Sequence, residues 1–492
     1  MIERKQKIAR AEDVISKMSE ITPVTRRRGE KVGYSHLFRR SSTNMDSPSE
    51  GLKNLPSGWE MAHIGDLTLR TKQRNPMCDP GKRFFYIDVS SVSNTSFRIT
   101  TPSELLGADA PSRARKVIEA SDVLFATVRP TLKRVAFVPD NLHDQIASTG
   151  FIVLRTDALR LISRYLYYYL LTDEFVQRMS ELERGASYPA VRDSDILNEK
   201  ITFPPLDEQR KIAGVLGVVQ RAIEQQERLI ALTQELKKAL LHKLFTEGLR
   251  GEPQKETEIG PVPESWELLS CEELCEMITV GVVVKPASHY VEKGVPAFRS
   301  FNVREDCLSP NDLVYFSEVV NDTILAKSKL HAGDVLVVRT GYPGTSCVVS
   351  KEYDGANCID LVIVRPKAGV IRGGFLSRFF NSPMGKSQAV AAKHGLAQQH
   401  LNVSAVKRTL VPVPSIEDQD EIDFALATVQ QKIALIARKK DVLIALFRTL
   451  LHQLMTAKMR VTDLELPESE STYAHACTNK LHRKGRKVTQ RG

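Results

Sequence analysis

The chain has 492 residues, 42% of them hydrophobic and 26% charged, with a formal net charge of +10. That length exceeds one ordinary core, so two or more domains are expected, and the apolar content excludes global disorder. The charge is compatible both with a polyanionic partner and with a merely solvated basic surface. Seven cysteines, Cys78, Cys271, Cys275, Cys307, Cys347, Cys358 and Cys477, form an odd, scattered set. Such a set does not read as a disulfide framework and fits a reducing, cytoplasmic setting. Cys271 and Cys275 lie four apart, but no second Cys or His pair follows at a metal-like spacing, so two half-buried thiols are expected and no metal site. No stretch approaches ~18 uninterrupted apolar residues, so no membrane span is expected. The start Met1-Ile2-Glu3-Arg4-Lys5 has no apolar run behind it, which argues against a signal peptide.

In chain order, residues 1–50 form a basic extension containing Arg26-Arg27-Arg28. It reads as a disordered arm or as an arm that touches phosphates. A mixed globular unit follows over 51–204. It opens on Pro56-Ser57-Gly58-Trp59-Glu60 and has strand-like runs at Val123–Val128 and Ile152–Leu154 and a helix-like run at Leu161–Leu171. A long helix is expected over 205–250. The linker Glu247–Pro263 holds three Gly and three Pro residues, which is turn punctuation. A second unit spans 257–414, with strands at Val335–Val338 and Leu361–Val364 and a helix at Gly374–Phe380. A second long helix covers 415–460, and a basic tail over 461–492 is expected to be disordered. Strands and helices mix in both units, so the class is α+β.

The second half repeats the first. Leu240-Leu241-His242-Lys243-Leu244-Phe245-Thr246 returns 210 residues later as Leu450-Leu451-His452-Gln453-Leu454-Met455-Thr456. Pro205-Leu206-Asp207-Glu208-Gln209 returns as Ser415-Ile416-Glu417-Asp418-Gln419 at the same offset, as do Gly185 with Gly395 and Arg155 with Arg365. Asp122-Val123-Leu124 pairs with Asp334-Val335-Leu336. The only two Trp residues, Trp59 and Trp266, occupy matching Pro-x-x-Trp-Glu segments.

Both long helices carry the four-three spacing of a coiled-coil seam. In the second it reads Ile422, Leu426, Val429, Ile433, Ile436, Lys440, Leu443, Phe447, Leu450 and Leu454; in the first, Ile212, Leu216, Val219, Ile223, Gln226, Ile230, Thr233, Lys237, Leu240 and Leu244. A helix covering its own domain would show the same face. But ~40 residues give ~60 Å, longer than one domain needs, so the two helices are expected to pair antiparallel about a pseudo-twofold axis. Acidic residues at both starts, Asp207 and Glu208, then Glu417 and Asp418, suit the positive end of a helix dipole.

After its Asp-Val-Leu strand each unit enters a polar loop. The first offers Arg129, Thr131, Lys133 and Arg134; the second offers Arg339, Thr340, Tyr342, Thr345 and Ser346. Further on come Ser187 and Tyr188 in the first unit, and Gln398, Gln399 and His400 in the second. Arg and Lys suit guanine edges and phosphates, Ser and Thr suit base edges or backbone, and Gln can pair with adenine. Taken singly these are ordinary exposed loops. At matching places in two repeats, with different residues, they read as two DNA readers with different targets.

The ordered, repeated set of motifs resembles the specificity subunits of Type I restriction–modification enzymes over about residues 51–460. The motifs are Pro-x-x-Trp-Glu (Pro56–Glu60, Pro263–Glu267), the Asp-Val-Leu strand, the Pro-Pro-Leu-x-Glu-Gln helix entry (Pro204–Gln209) and Leu-Leu-x-x-Leu-Phe-Thr (Leu240–Thr246). The second repeat departs from the pattern with Pro412-Val413-Pro414-Ser415-Ile416 and with Asp420-Glu421 in place of Arg210-Lys211. The resemblance implies two target-recognition domains reading a bipartite site in double-stranded DNA. It also implies helices that act as a ruler and dock two modification subunits, which methylate adenine with S-adenosylmethionine, while restriction subunits cut DNA with ATP and Mg2+. This chain would then be non-catalytic and hold no cofactor. In agreement, it has no Asn/Asp-Pro-Pro-aromatic motif, and Gly385-Lys386-Ser387 fails as a phosphate loop because the required glycine position holds Phe380. His63, His143, His289, His331 and His394 form no evident nucleophile–base set. A recognition subunit of a fused methylation–cleavage system, a coiled-coil scaffold without DNA binding and a nuclease of scattered carboxylates remain as alternatives.

Overall fold

The computed structural model describes residues 55–394 and 400–461. The extension over 1–50, Cys477, Gly395, Gln398 and Gln399 lie outside the described residues, as does the tail beyond Val461.

The first unit is bracketed by β1 (Glu60–His63), paired antiparallel with β10 (Lys200–Phe203). Between them lie β2 (Thr68–Leu69), β3 (Arg83–Ile87), β4 (Ser103–Leu106), β5 (Ala114–Ile118), β6 (Val123–Ala126), β7 (Val135–Phe137), β8 (Gln145–Ser148) and β9 (Phe151–Thr156). One four-stranded sheet has the order β2-β9-β6-β7, the other β4-β3-β8-β5. Every residue of β6 is buried. This is why its sequence is continuously apolar rather than alternating. Helices α1 (Ser163–Tyr169), α2 (Asp173–Glu181) and α3 (Asp193–Leu197) follow.

Helix α4 (Leu206–Glu247) leads to a linker hairpin, β11 (Gln254–Thr257) with β12 (Gly260–Pro263). The second unit is again bracketed, by β13 (Glu267–Ser270) and β24 (Leu410–Val413). It contains α5 (Cys271–Leu274), β14 (Cys275–Val280), β15 (Tyr290–Val291), β16 (Val295–Phe298), the hairpin β17 (Val303–Arg304) with β18 (Cys307–Leu308), β19 (Val314–Phe316), α6 (Glu318–Asp322) and β20 (Val335–Val338). Then come β21 (Ser346–Val348), β22 (Asn357–Cys358), β23 (Leu361–Pro366), α7 (Gly373–Asn381), α8 (Pro383–His394) and α9 (Val403–Arg408), before helix α10 (Ile416–Met455). Its sheets run β14-β23-β20-β21 and β15-β19-β16-β22. The first repeats β2-β9-β6-β7 strand for strand. In the second, the parallel pair β16–β22 takes the place of β3–β8. The fold is α+β, and among the described residues no helix is long and apolar enough to cross a membrane.

The residues that repeat in sequence do the same work twice. Arg155 clasps Asp122 with Nε and Nη2 at 2.9 and 2.8 Å; Arg365 clasps Asp334 at 2.8 and 2.8 Å. Each pair ties the start of a central strand to its neighbour. Gln209 accepts from the Ile162 amide at 2.8 Å and donates to the carbonyls of Arg160 and Pro204. Gln419 accepts from the Arg372 amide at 2.8 Å and donates to Val370 and Pro414. Each buried glutamine thus satisfies backbone groups that the helix entry would leave orphaned, and fixes the helix to its unit. Trp59 and Trp266 are both core residues. Cys271 and Cys275 are fully buried, not half-buried as expected, with their Sγ atoms 3.7 Å apart. The neighbouring Cys275 thiol and burial push the Cys271 thiol up.

Every position of both heptad seams is buried or half-buried. The first core contains Ile212, Leu216 and Val219 from the beginning of α4 with Phe447, Leu450 and Leu454 from the end of α10. The second contains Leu241, Leu244 and Phe245 from the end of α4 with Ile422 and Leu426 from the beginning of α10. The two helices therefore lie side by side in opposite directions. Equivalent ion pairs close both ends: Arg460 grips Glu208 at 2.7 and 2.8 Å, and Arg250 reaches Asp418 at 3.3 Å.

Candidate nucleic-acid interface

In the first unit β6 runs into Arg129, whose backbone is left-handed (φ 50°), and a 3-10 turn at Pro130–Leu132. The Arg129 amide donates to Pro189 O at 2.7 Å, and Val128 and Arg184 each bridge to Ala190. The two loops singled out in the sequence, about 129–134 and 185–189, are thus one cluster. Tyr188 is 73% exposed, and the Arg129 guanidinium lies over its ring at 5.4 Å. Arg184 binds Asp195 and holds its carboxyl below the usual carboxylate range, which anchors the outer loop. Ser187 and Thr131 are exposed. Lys133 is paired with Asp173, and Arg134 donates to the carbonyls of Val89 and Val92. These two cations hold the loop in shape, and their charge is already engaged.

The second unit builds the corresponding cluster. Gly341 and Gly344, both at φ 85°, turn the loop after β20. The Leu401 amide donates to Arg339 O at 3.1 Å, and Arg339 Nε donates back to Leu401 O at 3.1 Å. Arg339 also pairs with Asp360, and Thr340 Oγ1 lies 2.9 Å from His400 Nδ1. Tyr342 stands 79% exposed and Thr345 is half-buried. Ser346 is a correction: it is fully buried, its hydroxyl donates to Ser377 O at 2.9 Å and its amide to Asn381 Oδ1 at 3.0 Å. The residue begins β21, where the chain has already turned back into the sheet.

A basic strip escaped the reading of loops alone. Residues 72–74 run beside β5: the Val117 amide donates to Lys72 O at 3.0 Å and the Arg74 amide to Arg115 O at 2.9 Å. This gathers Arg70, Lys72, Arg74, Arg113, Arg115 and Lys116. Lys116 pairs with Asp193 at 2.7 Å, joining the strip to the Arg129 cluster through the segment that leads into α3. Arg74 pairs with Asp144; Arg70, Lys72 and Arg113 have no acidic partner among the described residues. The signal was present as alternate basic positions 70, 72 and 74, which an extended chain places on one side. In the second unit the segment following β14 carries exposed Val283 and Val284 instead.

The model of the Type I restriction modification DNA specificity domain matches residues 56–234. The type I restriction enzyme MjaVIII specificity subunit of Methanocaldococcus jannaschii is 23% identical over 419 residues, covering 83% of this chain and 95% of that protein. The EcoKI specificity subunit of Escherichia coli is 22% identical over 341 residues, 65% and 72% of the two chains. A solved chain from work on complex assembly and conformational transition of the type I R-M system is 29% identical, with a TM-score of 0.53 over 82% of this chain and 98% of that one. Over most of its length the chain is similar to type I restriction enzyme specificity subunits. The S subunit of a Type-I restriction-modification system from M. genitalium, 16% identical at a TM-score of 0.51, shares the fold over 82% of this chain and 97% of its own. The family's DNA specificity domain spans the first unit and the first part of α4. The second unit joins it through the duplicated sheet order, the Asp–Arg clasp and the glutamine clamp.

Proposed function

We propose that this specificity subunit reads a bipartite site in double-stranded DNA, one half with each unit. The paired helices act as an antiparallel coiled-coil spacer about a pseudo-twofold axis, and the two units are its target-recognition domains. One observation carries the reading: two equivalent loop clusters stand on the same duplicated frame but present different chemistry. The first is cationic, with Arg129 over Tyr188 beside the basic strip. The second offers Arg339, Thr340, His400 and Tyr342 beside exposed valines. Cations supply phosphate affinity, while differing polar and apolar side chains supply base discrimination. The chain contributes no catalytic group. Two docked modification subunits methylate adenine with S-adenosylmethionine, and restriction subunits cleave with ATP and Mg2+.

Sequencing the methylome of cells that express the chain with its modification subunit tests this. One split motif with methyladenine in each half is expected; a contiguous motif or none would refute the reading. On the purified complex, Lys72→Ala, Arg113→Ala and Arg129→Ala together should flatten the dependence of DNA affinity on log salt by about three. These three residues suit the test because they are not holding the fold, whereas Lys133 and Arg134 are. An unchanged slope would remove the strip from the interface.

A further inference from the structure

The two units sit on the helix pair through equivalent joints, and the joints are made of opposite chemistry. The buried glutamines Gln209 and Gln419 fix the equivalence, so Gln220 matches Gln430, Tyr168 matches Arg378, and Phe447 matches Lys237. Phe97 matches Asp306: each has a left-handed backbone, φ 55° and 60°, and each stands two residues before the closing residue of a short hairpin. In the first joint Tyr168 donates to Gln220 Oε1 at 3.0 Å, Gln220 donates to the Tyr167 hydroxyl at 3.0 Å, and Tyr167 donates to Phe97 O at 3.0 Å. The Tyr168 ring lies 6.0 Å from Phe447. The buried part of this joint is aromatic; charges lie around it, with Arg98 paired to Glu224 and Glu227 of α4 and the Arg164 and Arg221 guanidiniums acting on Tyr168.

At the second joint Lys237, on α4, donates to Asp306 at 2.5 Å and to Gln430 of α10 at 2.8 Å. Arg378, on α7, pairs with the same Asp306 and with Asp423 of α10. Asn381 donates to Asp306 at 2.9 Å. Asp306 is 2% exposed, Lys237 and Arg378 10% each. Two cations and two anions thus cancel in a contact among both long helices and the second unit, with Asp423, 34% exposed, at its edge. Gly374 leaves room for the Asp423 carboxylate in this position: a Cβ there would lie 2.1 Å from Asp423 Oδ2.

We propose that Lys237, Asp306 and Arg378 are positioning residues for the second unit, an ionic joint that fixes its angle on the helix pair and that the first unit cannot occupy. The inference rests on the reading that each unit recognises a half-site. A buried ion network gives little net stability over an apolar contact, but it demands one geometry, and exchange of partners leaves charges stranded. The first unit seated on the second dock would place Phe97 and Tyr168 against Lys237 and Asp423. The second unit on the first dock would place Asp306 and Arg378 against Phe447. The polar interruptions of the α4 seam therefore include a specificity device, with Lys237 at its centre.

The test uses the full chain. In the purified protein, Lys237→Met should speed amide exchange in the hairpin 303–308 on the order of a hundredfold while leaving segment 92–99 unchanged. Lys237→Arg should stay near the original rate, and Asp306→Asn serves as a second disruption should Lys237→Met fail to fold. In cells with the modification subunit, the disrupted variants should methylate motifs with the same half-sequences but a broadened set of spacer lengths. General destabilisation would lower methylation without altering the spacer. Unchanged exchange in 303–308, or faster exchange with the original single spacer, would overturn the proposal. An original chain that gives no split motif would refute half-site reading itself, and the exchange rates would still decide whether the joint is ionic.

Discussion

The residues that the duplication preserves are mostly those that hold the frame. Asp122 is 1% exposed and its Arg155 partner 19%, so the pair sits largely out of water. Asp122→Asn keeps the shape but leaves a guanidinium with only Glu119 as a carboxylate partner. The expected loss is about 3 kcal/mol, read as a lower midpoint in chemical denaturation of the full chain, and Asp334→Asn should cost a similar amount. A loss below about 0.5 kcal/mol, the surface-pair range, would mean the clasp is incidental. The offset of 210 made Arg155, Arg365, Gln209 and Gln419 visible as repeated letters. It did not show that the arginines clasp aspartates 33 and 31 residues upstream, because such pairing depends on strand order, which spacing does not encode. Ser346 illustrates the converse: a serine closing a Gly-Thr-rich loop looks exposed in sequence, yet the sheet buries it.

At the scale of elements, the heptad spacing was the most legible feature, since each seam position had to be buried against something. What the seam could not reveal was that its polar members differ in role, or that the two docks are aromatic in one case and ionic in the other. Helix α1, which carries the aromatic dock, has a pH signature. Burial pushes the phenols of Tyr165, Tyr167 and Tyr168 well above their ordinary value, and Tyr169 up to about 12. The folded state therefore holds these protons more tightly than the unfolded chain. Their contribution is fully present below about pH 10, the unfolded value, and is lost as pH rises from there toward the folded values. Phenolate absorbance during an alkaline titration should show these four tyrosines ionising only together with loss of the first unit's fold. Their titration near pH 10 in an otherwise intact protein would contradict the packing described. The boundaries of the short strands were not legible, because many of the small strands here are two to four residues long and offer no period to read.

Over the described residues the same arrangement is built twice. Arg460 on Glu208 and Arg250 on Asp418 link each helix end to the other helix's start, so neither unit hangs from a single tether. The α+β class and the duplicated layout were evident from the order of landmarks. The contents of the candidate surface were only half evident, because the basic strip along 70–74 and 113–116 becomes one surface through pairing with β5. The proposed function treats the two units as duplicated readers about a pseudo-twofold axis, each kept to its own dock by its joint. Its most direct measurement is the methylome written by a chain in which a second copy of residues 60–203 replaces residues 267–413, with Lys237→Phe and Asp423→Ala to match the first dock. The expected motif is an inverted repeat of the half-sequence that the first unit reads. Persistence of the original asymmetric motif, or loss of the first unit's half-sequence from both sides, would contradict the account.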